Sequence, residues 1–192
     1  VGTDGGSFMF KVAENNFLGR GINLATFAQV NANTLKGAIE VSNPNFDYTG
    51  NEVSVNISSI TNDVPDSGYE NSLISLGAGT RFEQFKDVYL STGFSASSDK
   101  LTVLSNASKQ LKKQAGTFGD LSVYYGLALD ERDRPYMPSS GHYTSFSQSL
   151  PVVSDAGALK NTFATSHYHT FSQDLIGSIK FYASTINGIS ED

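Results

Sequence analysis

The feature that most constrains this chain is an alternation of apolar and polar residues with a period of two, repeated along most of its length. Successive side chains of a β-strand point to opposite faces, so this period predicts strands with one apolar and one polar face. Seven segments show it clearly, and three later ones show it more weakly. The clear segments are 8–12, 22–30, 35–41, 53–57, 74–78, 88–94 and 121–129, and the weaker ones are about 142–150, 162–171 and 176–185. The sequence therefore predicts an all-β fold of ten antiparallel strands.

The length and polarity of these strands favour a membrane setting. We predict that most of the whole strands, of which these segments are the clearest parts, have nine to thirteen residues. That is longer than the roughly 5–6 residues usual in soluble proteins and meets the ~9–11 residues that a tilted strand needs to cross a bilayer. The polar face is mostly Ser, Asn, Gln, Ala and Gly, which suits a hydrated lumen better than a solubilising exterior. Backbone groups in lipid must all be paired, so we predict an antiparallel transmembrane β-barrel. A large soluble β-sandwich or barrel remains the alternative on pattern alone.

Composition excludes several other classes. The net charge is -6 and no basic stripe stands out, so nucleic acid is not an expected partner. The chain has no cysteine, which excludes cysteine-based metal sites. No run of apolar residues approaches the ~20 that a transmembrane helix needs. Strands and helices do not alternate along the chain, which excludes a doubly wound enzyme fold.

The connections between strands form two sets. One set carries aromatic residues at or beside each turn, as expected where hydrocarbon meets headgroups. We therefore predict that Phe17, Tyr48, Phe85, Tyr136 and Phe171 lie at the periplasmic rim, and that Asp63, Lys112 and Asp155 lie at the cell surface. The longest connection of the second set is predicted to contain a short helix from Ser105 to Ala115, with Ser105 as N-cap and Gly116 as its end.

The alternation also predicts which side chains face lipid and which face the lumen. The outward set is expected to be Leu24, Val30, Ile39, Val55, Leu76, Leu90, Val123 and Leu127. The luminal set is expected to be Asn23, Gln29, Glu40, Asn56, Ser91 and Ser122.

Three turn sequences carry a resemblance to a known family. They are Asn16-Phe17-Leu18-Gly19-Arg20-Gly21, then Ser42-Asn43-Pro44-Asn45-Phe46, then 133–141. In order and spacing they resemble turns in the barrel of the BamA-like outer-membrane assembly factors, the bacterial surface-antigen family. The matching residues are Asn16, Phe17, Leu18, Gly19, Gly21, Asn43, Pro44, Phe46, Asp133, Arg134, Tyr136, Pro138 and Gly141. The chain departs from the family pattern at Asn45, Pro135 and Met137.

The resemblance implies a fold and a function. It implies a partial barrel, about ten strands of the family's sixteen, in which residues 1–192 form a single fragment. The periplasmic POTRA domains and the last strands of the family would then be absent. By residue type, 1–6 resembles the end of a strand followed by a turn, and 187–192 resembles the start of a polar loop. Such proteins fold and insert other barrel proteins into the bacterial outer membrane, catalyse no covalent chemistry and need no cofactor.

The implied partners are the lipid bilayer, lipopolysaccharide, client outer-membrane proteins and accessory assembly lipoproteins. Three other functions stay open: a sister-family translocation barrel of TamA type, a passive porin or transporter barrel, and an outer-membrane enzyme such as a lipase.

Three clusters invite a more specific interpretation. His167 and His169 share one strand face, as a pair of metal ligands would, although wall residues explain them more simply. The alternating charges of 130–134 include paired carboxylates, but salt bridges in a turn account for them. Lys109, Lys112 and Lys113 form a small basic patch on the predicted helix, which either meets anionic lipopolysaccharide or is solvated.

Overall fold

The computed structural model describes residues 5–155 and 157–189. Within them, ten antiparallel strands form one sheet in which every strand pairs with its neighbours in the sequence. The strands are β1 Phe8–Phe17, β2 Ile22–Val30, β3 Thr34–Phe46, β4 Asn51–Val64, β5 Tyr69–Phe85, β6 Val88–Val103, β7 Gly116–Asp130, β8 Gly141–Ser154, β9 Ala158–Ser172 and β10 Leu175–Gly188. The prediction of an all-β fold with ten antiparallel strands is confirmed.

Several strands are longer than the alternation indicated. The segment predicted at 53–57 belongs to β4, of 14 residues, and the one at 74–78 belongs to β5, of 17 residues. Residues Asn187 and Gly188, expected to begin a loop, are the last two of β10. Polar strand ends carry no apolar signal, yet they stay extended because the neighbouring strand continues to pair with them. The expected turn and loop at 1–4 and 190–192 fall outside the described residues.

The described sheet is an open one. In the described part of the chain β1 pairs only with β2, and β10 pairs only with β9, so the two edge strands do not meet. The sheet therefore corresponds to a segment of a barrel wall with two free edges.

The register assigns every strand residue to one of the two faces, since directly opposed residues share a face. Leu24 lies opposite Val41, which lies opposite Val55, and further along the sheet Leu127 lies opposite Phe146. All eight residues of the predicted outward set fall on this face, which we call the apolar face. All six of the predicted luminal set fall on the opposite, polar face.

The two faces differ in how enclosed they are. On the polar face, Ser42 and Ser122 are only 9% and 7% exposed. Ile57 and Leu76 on the apolar face are 49% and 44% exposed. Ala107, in a loop, is the single buried hydrophobic side chain of the described residues. The apolar residues are thus not packed into a core, as a soluble sandwich requires, and the polar face is the more sheltered one.

The loop helix is shorter than predicted. Helix α1 spans Lys109–Gln114, and its N-cap is Ser108, whose hydroxyl accepts a hydrogen bond from the Leu111 amide, not Ser105. Residues 104–107 are held outside the helix because the Leu104 amide donates to the Gly68 carbonyl and Asn106 donates to the Pro65 carbonyl. A 3-10 turn at Pro65–Ser67 is the other helical segment in the part of the chain that the structure describes. In the described residues no helix has the length and apolar character needed to cross a membrane.

Candidate functional site

The three family-like turns lie at the same end of the sheet. They connect β1 to β2, β3 to β4 and β7 to β8, and alternate hairpins of an antiparallel meander share an end. We call this the motif end. The first two turns are neighbours, whereas the third is separated from the second by β5 and β6 and their turn.

The first turn is closed by an asparagine side chain. The Gly19 amide donates to the Asn16 carbonyl at 2.9 Å, and the Gly21 amide donates to the Asn16 Oδ1 at 2.7 Å. Leu18, Gly19 and Gly21 all have positive φ, at 56°, 69° and 66°. The two glycines adopt this backbone without steric cost, and the side chain of Asn16 fixes the path between them.

The second turn repeats the first, 29 residues later (45 − 16). The Tyr48 amide donates to the Asn45 carbonyl at 3.1 Å, and the Gly50 amide donates to the Asn45 Oδ1 at 2.8 Å. Positive φ recurs at the same three offsets, in Asp47, Tyr48 and Gly50. Both turns therefore have the pattern Asn-Phe-x-x-x-Gly.

Asn45, which departs from the family pattern, is thus a structural residue of the turn. The repeated spacing of Asn, Phe and Gly was the signal that would have identified it. Asn43, which was singled out, plays a smaller part: its Oδ1 accepts the Asn45 amide at 3.1 Å.

These two turns enclose a groove of about 770 Å³. Its walls include Gly19 and Gly21 from the first motif and Asn43 and Pro44 from the second, so the structure brings these predicted site residues together. Arg20 and Asp47 add one charge of each sign, and the ring of Tyr48 is almost fully exposed.

The third motif is organised by Asp133. Its Oδ2 accepts the Ser139 hydroxyl at 2.6 Å, and its Oδ1 accepts the amides of Ser139 and Ser140 at 2.9 and 3.2 Å. The hydroxyl of Ser139, these two amides and the nearby Arg134 guanidinium lower the pKa of Asp133 to about 2. The carboxylate therefore stays ionised and holds the turn closed across the physiological pH range.

The remaining residues of this motif shape the same turn. The Arg134 Nε donates to the Met137 carbonyl at 2.7 Å, and Gly141 has a φ of 92°. A Cβ at Gly141 would overlap the Glu131 carbonyl, so only glycine fits there. Tyr136 is exposed to solvent, and Pro138 stiffens the connection.

Beside this turn, Arg132 forms a two-pronged salt bridge with Asp130, both N–O distances being 2.7 Å. Its guanidinium also lies 4.9 Å from the centre of the Tyr143 ring. The charges of 130–134 are thus used in salt bridges and turn closure, as the simpler interpretation predicted.

On the polar face a tyrosine lies across two glycines. Gly79, Gly93 and Tyr124 form one row of directly opposed residues on β5, β6 and β7. A Cβ at either glycine would overlap the Tyr124 hydroxyl. The ring therefore lies along the wall, over the two glycines.

The residues predicted to lie at one rim do share an end. Phe17, Tyr48, Phe85, Tyr136 and Phe171 are all at the motif end, either in a turn or within two residues of one, and all are exposed. Asp63, Lys112 and Asp155 lie at the opposite end. The grouping is confirmed, and the assignment of the motif end to the periplasm stays a prediction.

The histidine pair has a third neighbour that the sequence did not reveal, since His142 on β8 lies directly opposite His167 on β9. Among the described residues no group of three or more His, Asp or Glu side chains is arranged to hold a metal ion.

Comparison with known proteins adds a family and a fold. The model of the Omp85 superfamily domain matches residues 16–192. The chain is similar in structure to BamA from Haemophilus ducreyi lacking POTRA domains 1-3, with a TM-score of 0.72 and 17% sequence identity. The similarity covers 97% of this chain and 39% of that one, so the present chain spans about two fifths of the BamA chain. No curated protein matches the sequence.

Proposed function

Because the chain belongs to the Omp85 superfamily, we propose that it is part of an outer-membrane barrel that folds and inserts other barrel proteins. Omp85 and BamA-type barrels are non-enzymatic assembly or translocation proteins, so the chain is not an enzyme. Assembly in the manner of BamA is the more specific part of the proposal.

The observation that carries this choice is the set of three motif turns. Asn16 and Asp133, which carry the family resemblance in the first and third turns, are also the residues whose side chains close those turns. The second turn, closed by Asn45, repeats the first. If the motif end lies in the periplasm, as we predict, these turns stand where an assembly factor would meet its periplasmic partners, and this favours assembly over a passive porin.

We further propose that the 192 residues belong to a longer protein with periplasmic POTRA domains and additional strands. Two findings support this: the two edge strands are not paired with each other in the described residues, and the chain matches 39% of the BamA chain. The proposed location is the bacterial outer membrane.

The proposed partners are the bilayer, client outer-membrane proteins, accessory assembly lipoproteins and lipopolysaccharide. Lys109, Lys112 and Lys113 on α1 would face lipopolysaccharide phosphates if the end opposite the motif end lies at the cell surface. The Lys112 ammonium already donates to the Ser105 carbonyl at 2.6 Å, which leaves Lys109 and Lys113 as the freer cations.

The test is conditional depletion of the full-length protein in its native host. Folded outer-membrane barrels should be lost in general, which is measured by their heat-modifiable mobility on gels. Loss of a small subset of clients would instead indicate a TamA-type role. Unchanged barrel levels with reduced uptake of small solutes would indicate a porin and refute the proposal.

A further inference from the structure

The connection between β6 and β7, residues 104–115, is the longest one in the described part of the chain, and it contains α1. We infer that this β6–β7 loop and the β4–β5 turn, residues 65–68, form a conformational device in which α1 is folded only while the loop is bound to the turn. The inference goes beyond the proposed function, and it holds whichever kind of barrel the full-length protein forms.

Two hydrogen bonds attach the loop to the turn. The Leu104 amide donates to the Gly68 carbonyl at 2.8 Å, which extends the pairing of β5 with β6 by one residue. Further along the loop, the Asn106 side-chain amide donates to the Pro65 carbonyl at 3.2 Å. The first bond continues the ordinary pairing of two strands, whereas the second holds the loop back against the neighbouring turn.

Gly68 lies too close to the loop for any side chain. It is buried, and a Cβ there would overlap the Asn106 side chain and lie 2.8 Å from the Ala107 amide nitrogen. Its φ is also positive, at 71°. Gly19 and Gly50, in turns of the motif end, have positive φ as well, but a Cβ at either would meet nothing within 4 Å. The backbone path alone explains those two glycines, whereas Gly68 is required by its contact with the loop as well.

This contact leads directly into α1. Ala107 is only 7% exposed, and it immediately precedes Ser108, the N-cap of the helix. Near the other end of the helix, the Lys112 ammonium donates back to the Ser105 carbonyl at 2.6 Å. The helix is thus held at its start and near its end by the same segment that binds the β4–β5 turn.

α1 is too short to be stable without these attachments. It has 6 residues, and isolated helices shorter than ~12–15 residues are marginal in water even for favourable sequences. None of its residues is buried, so packing of an apolar face does not supply the missing stability. Release of the loop from the turn therefore unfolds α1 and removes the exposed Lys109 and Lys113 from a fixed arrangement.

The test is hydrogen exchange of the full-length protein in detergent micelles, followed at the amides of Leu104 and Lys112. The Leu104 amide reports on the contact with the turn, and the Lys112 amide, which donates to the Ser108 carbonyl, reports on the helix. In the unmodified protein both should exchange at least tenfold more slowly than in an unstructured peptide. In Gly68→Ala both should accelerate at least tenfold. Gly50→Ala is the matched control, since it changes a positive-φ glycine that contacts nothing, and it should leave both rates unchanged.

Two outcomes of this experiment would overturn the inference. One is a Lys112 amide that already exchanges at the unstructured rate in the unmodified protein. The other is a Gly68→Ala variant in which the Leu104 amide accelerates and the Lys112 amide stays protected, because α1 would then fold independently of the turn.

A second variant, Asn106→Ala, does not depend on whether the barrel tolerates a Cβ at position 68. It removes the bond to the Pro65 carbonyl and leaves the backbone conformation unchanged. Loss of one hydrogen bond should accelerate exchange of the Lys112 amide roughly three- to tenfold. Gln110→Ala, at an exposed position of α1, should not accelerate it. An Asn106→Ala variant that exchanges as slowly as the unmodified protein would equally contradict the inference.

Discussion

Replacing Gly79 by alanine should destabilise the barrel through one side chain, that of Tyr124. A Cβ at Gly79 would overlap the Tyr124 hydroxyl, while the next nearest atoms, Thr92 O and Tyr124 Cζ, are each 3.1 Å away. The ring must therefore leave its place along the wall. Because the closest obstacle is a side chain, a second substitution, Tyr124→Ala, removes it and leaves only the milder contact with the Thr92 carbonyl.

The expected loss of stability is the balance of two opposing effects of the Gly79→Ala change. Forcing an extra methyl into a filled site costs about 1–3 kcal/mol, whereas alanine in a strand gains roughly 0.5–1 kcal/mol over glycine from its smaller backbone entropy. We expect Gly79→Ala to lower the free energy of unfolding by about 1–2 kcal/mol in the unmodified protein. In the Tyr124→Ala background the same change should cost close to nothing, so the coupling between the two positions is on the order of 1–2 kcal/mol.

The assay is urea unfolding of the full-length protein in lipid vesicles, carried out on the four members of the double-mutant cycle. Gly37→Ala is the matched control, because a Cβ there would meet only Phe27 O, at 3.9 Å. It should be neutral or slightly stabilising. A coupling below about 0.5 kcal/mol, the usual limit of additivity, would refute the reasoning, as would a Gly37→Ala variant as unstable as Gly79→Ala.

Other predictions concern the turns, the topology and the edges. Asn16→Ala and Asn45→Ala should each cost about 1 kcal/mol in the same unfolding assay, because each removes one turn-closing hydrogen bond, whereas Asn62→Ala, which removes none, should be neutral. Since the folded pKa of Asp133 lies at about 2, below the ordinary 3.8, its stabilisation of the turn is complete above about pH 4 and is lost as the pH falls towards 2. Hydrogen exchange at the Ser139 and Ser140 amides should therefore accelerate only in that range, and an acceleration already at pH 5–6 would contradict the assignment. Single cysteines probed in intact cells with an impermeant reagent should react at position 112 and not at 20 or 86, and the reverse pattern would overturn the predicted topology. The isolated 192-residue chain should aggregate or pair edge to edge, since its described sheet leaves two strands with unpaired backbone groups; a monodisperse closed monomer in detergent would disprove this.

The strands and their faces were predictable because one physical rule determines both. A wall with lipid on one side and water on the other enforces a period of two in every strand, so ten segments and fourteen face assignments could be read from residue type alone. The strand ends were not predictable in this way. Ser, Asn and Thr tolerate either face, so the last residues of β4 and the first residues of β5 give no alternation, and only their pairing with each other shows how far the two strands extend.

The loop helix was misplaced for a related reason. Ser105 and Ser108 are equally good N-caps by residue type. The choice between them was made by a contact distant in sequence: Leu104 and Asn106 bind the turn at 65–68, and this holds the chain extended until Ser108. The second Asn-Phe-x-x-x-Gly turn, in contrast, was visible in the sequence as a repeat of the first.

The three segments with the weakest alternation show what a departure from a simple rule can mean. Segments 142–150, 162–171 and 176–185 form strands as regular as the others, so the weak signal reflects no defect in the sheet. Its source is polar residues on the apolar face: Gln148 and Asn161 satisfy one another, as do Thr144 and Thr165, whereas His167 and His169 have no hydrogen-bond partner among the described residues. A polar residue that the sheet itself satisfies needs no further explanation, because the cost of facing lipid is already largely offset. Weak alternation of this kind therefore marks polar residues that pair with one another across neighbouring strands, and it is no argument against a strand that faces lipid.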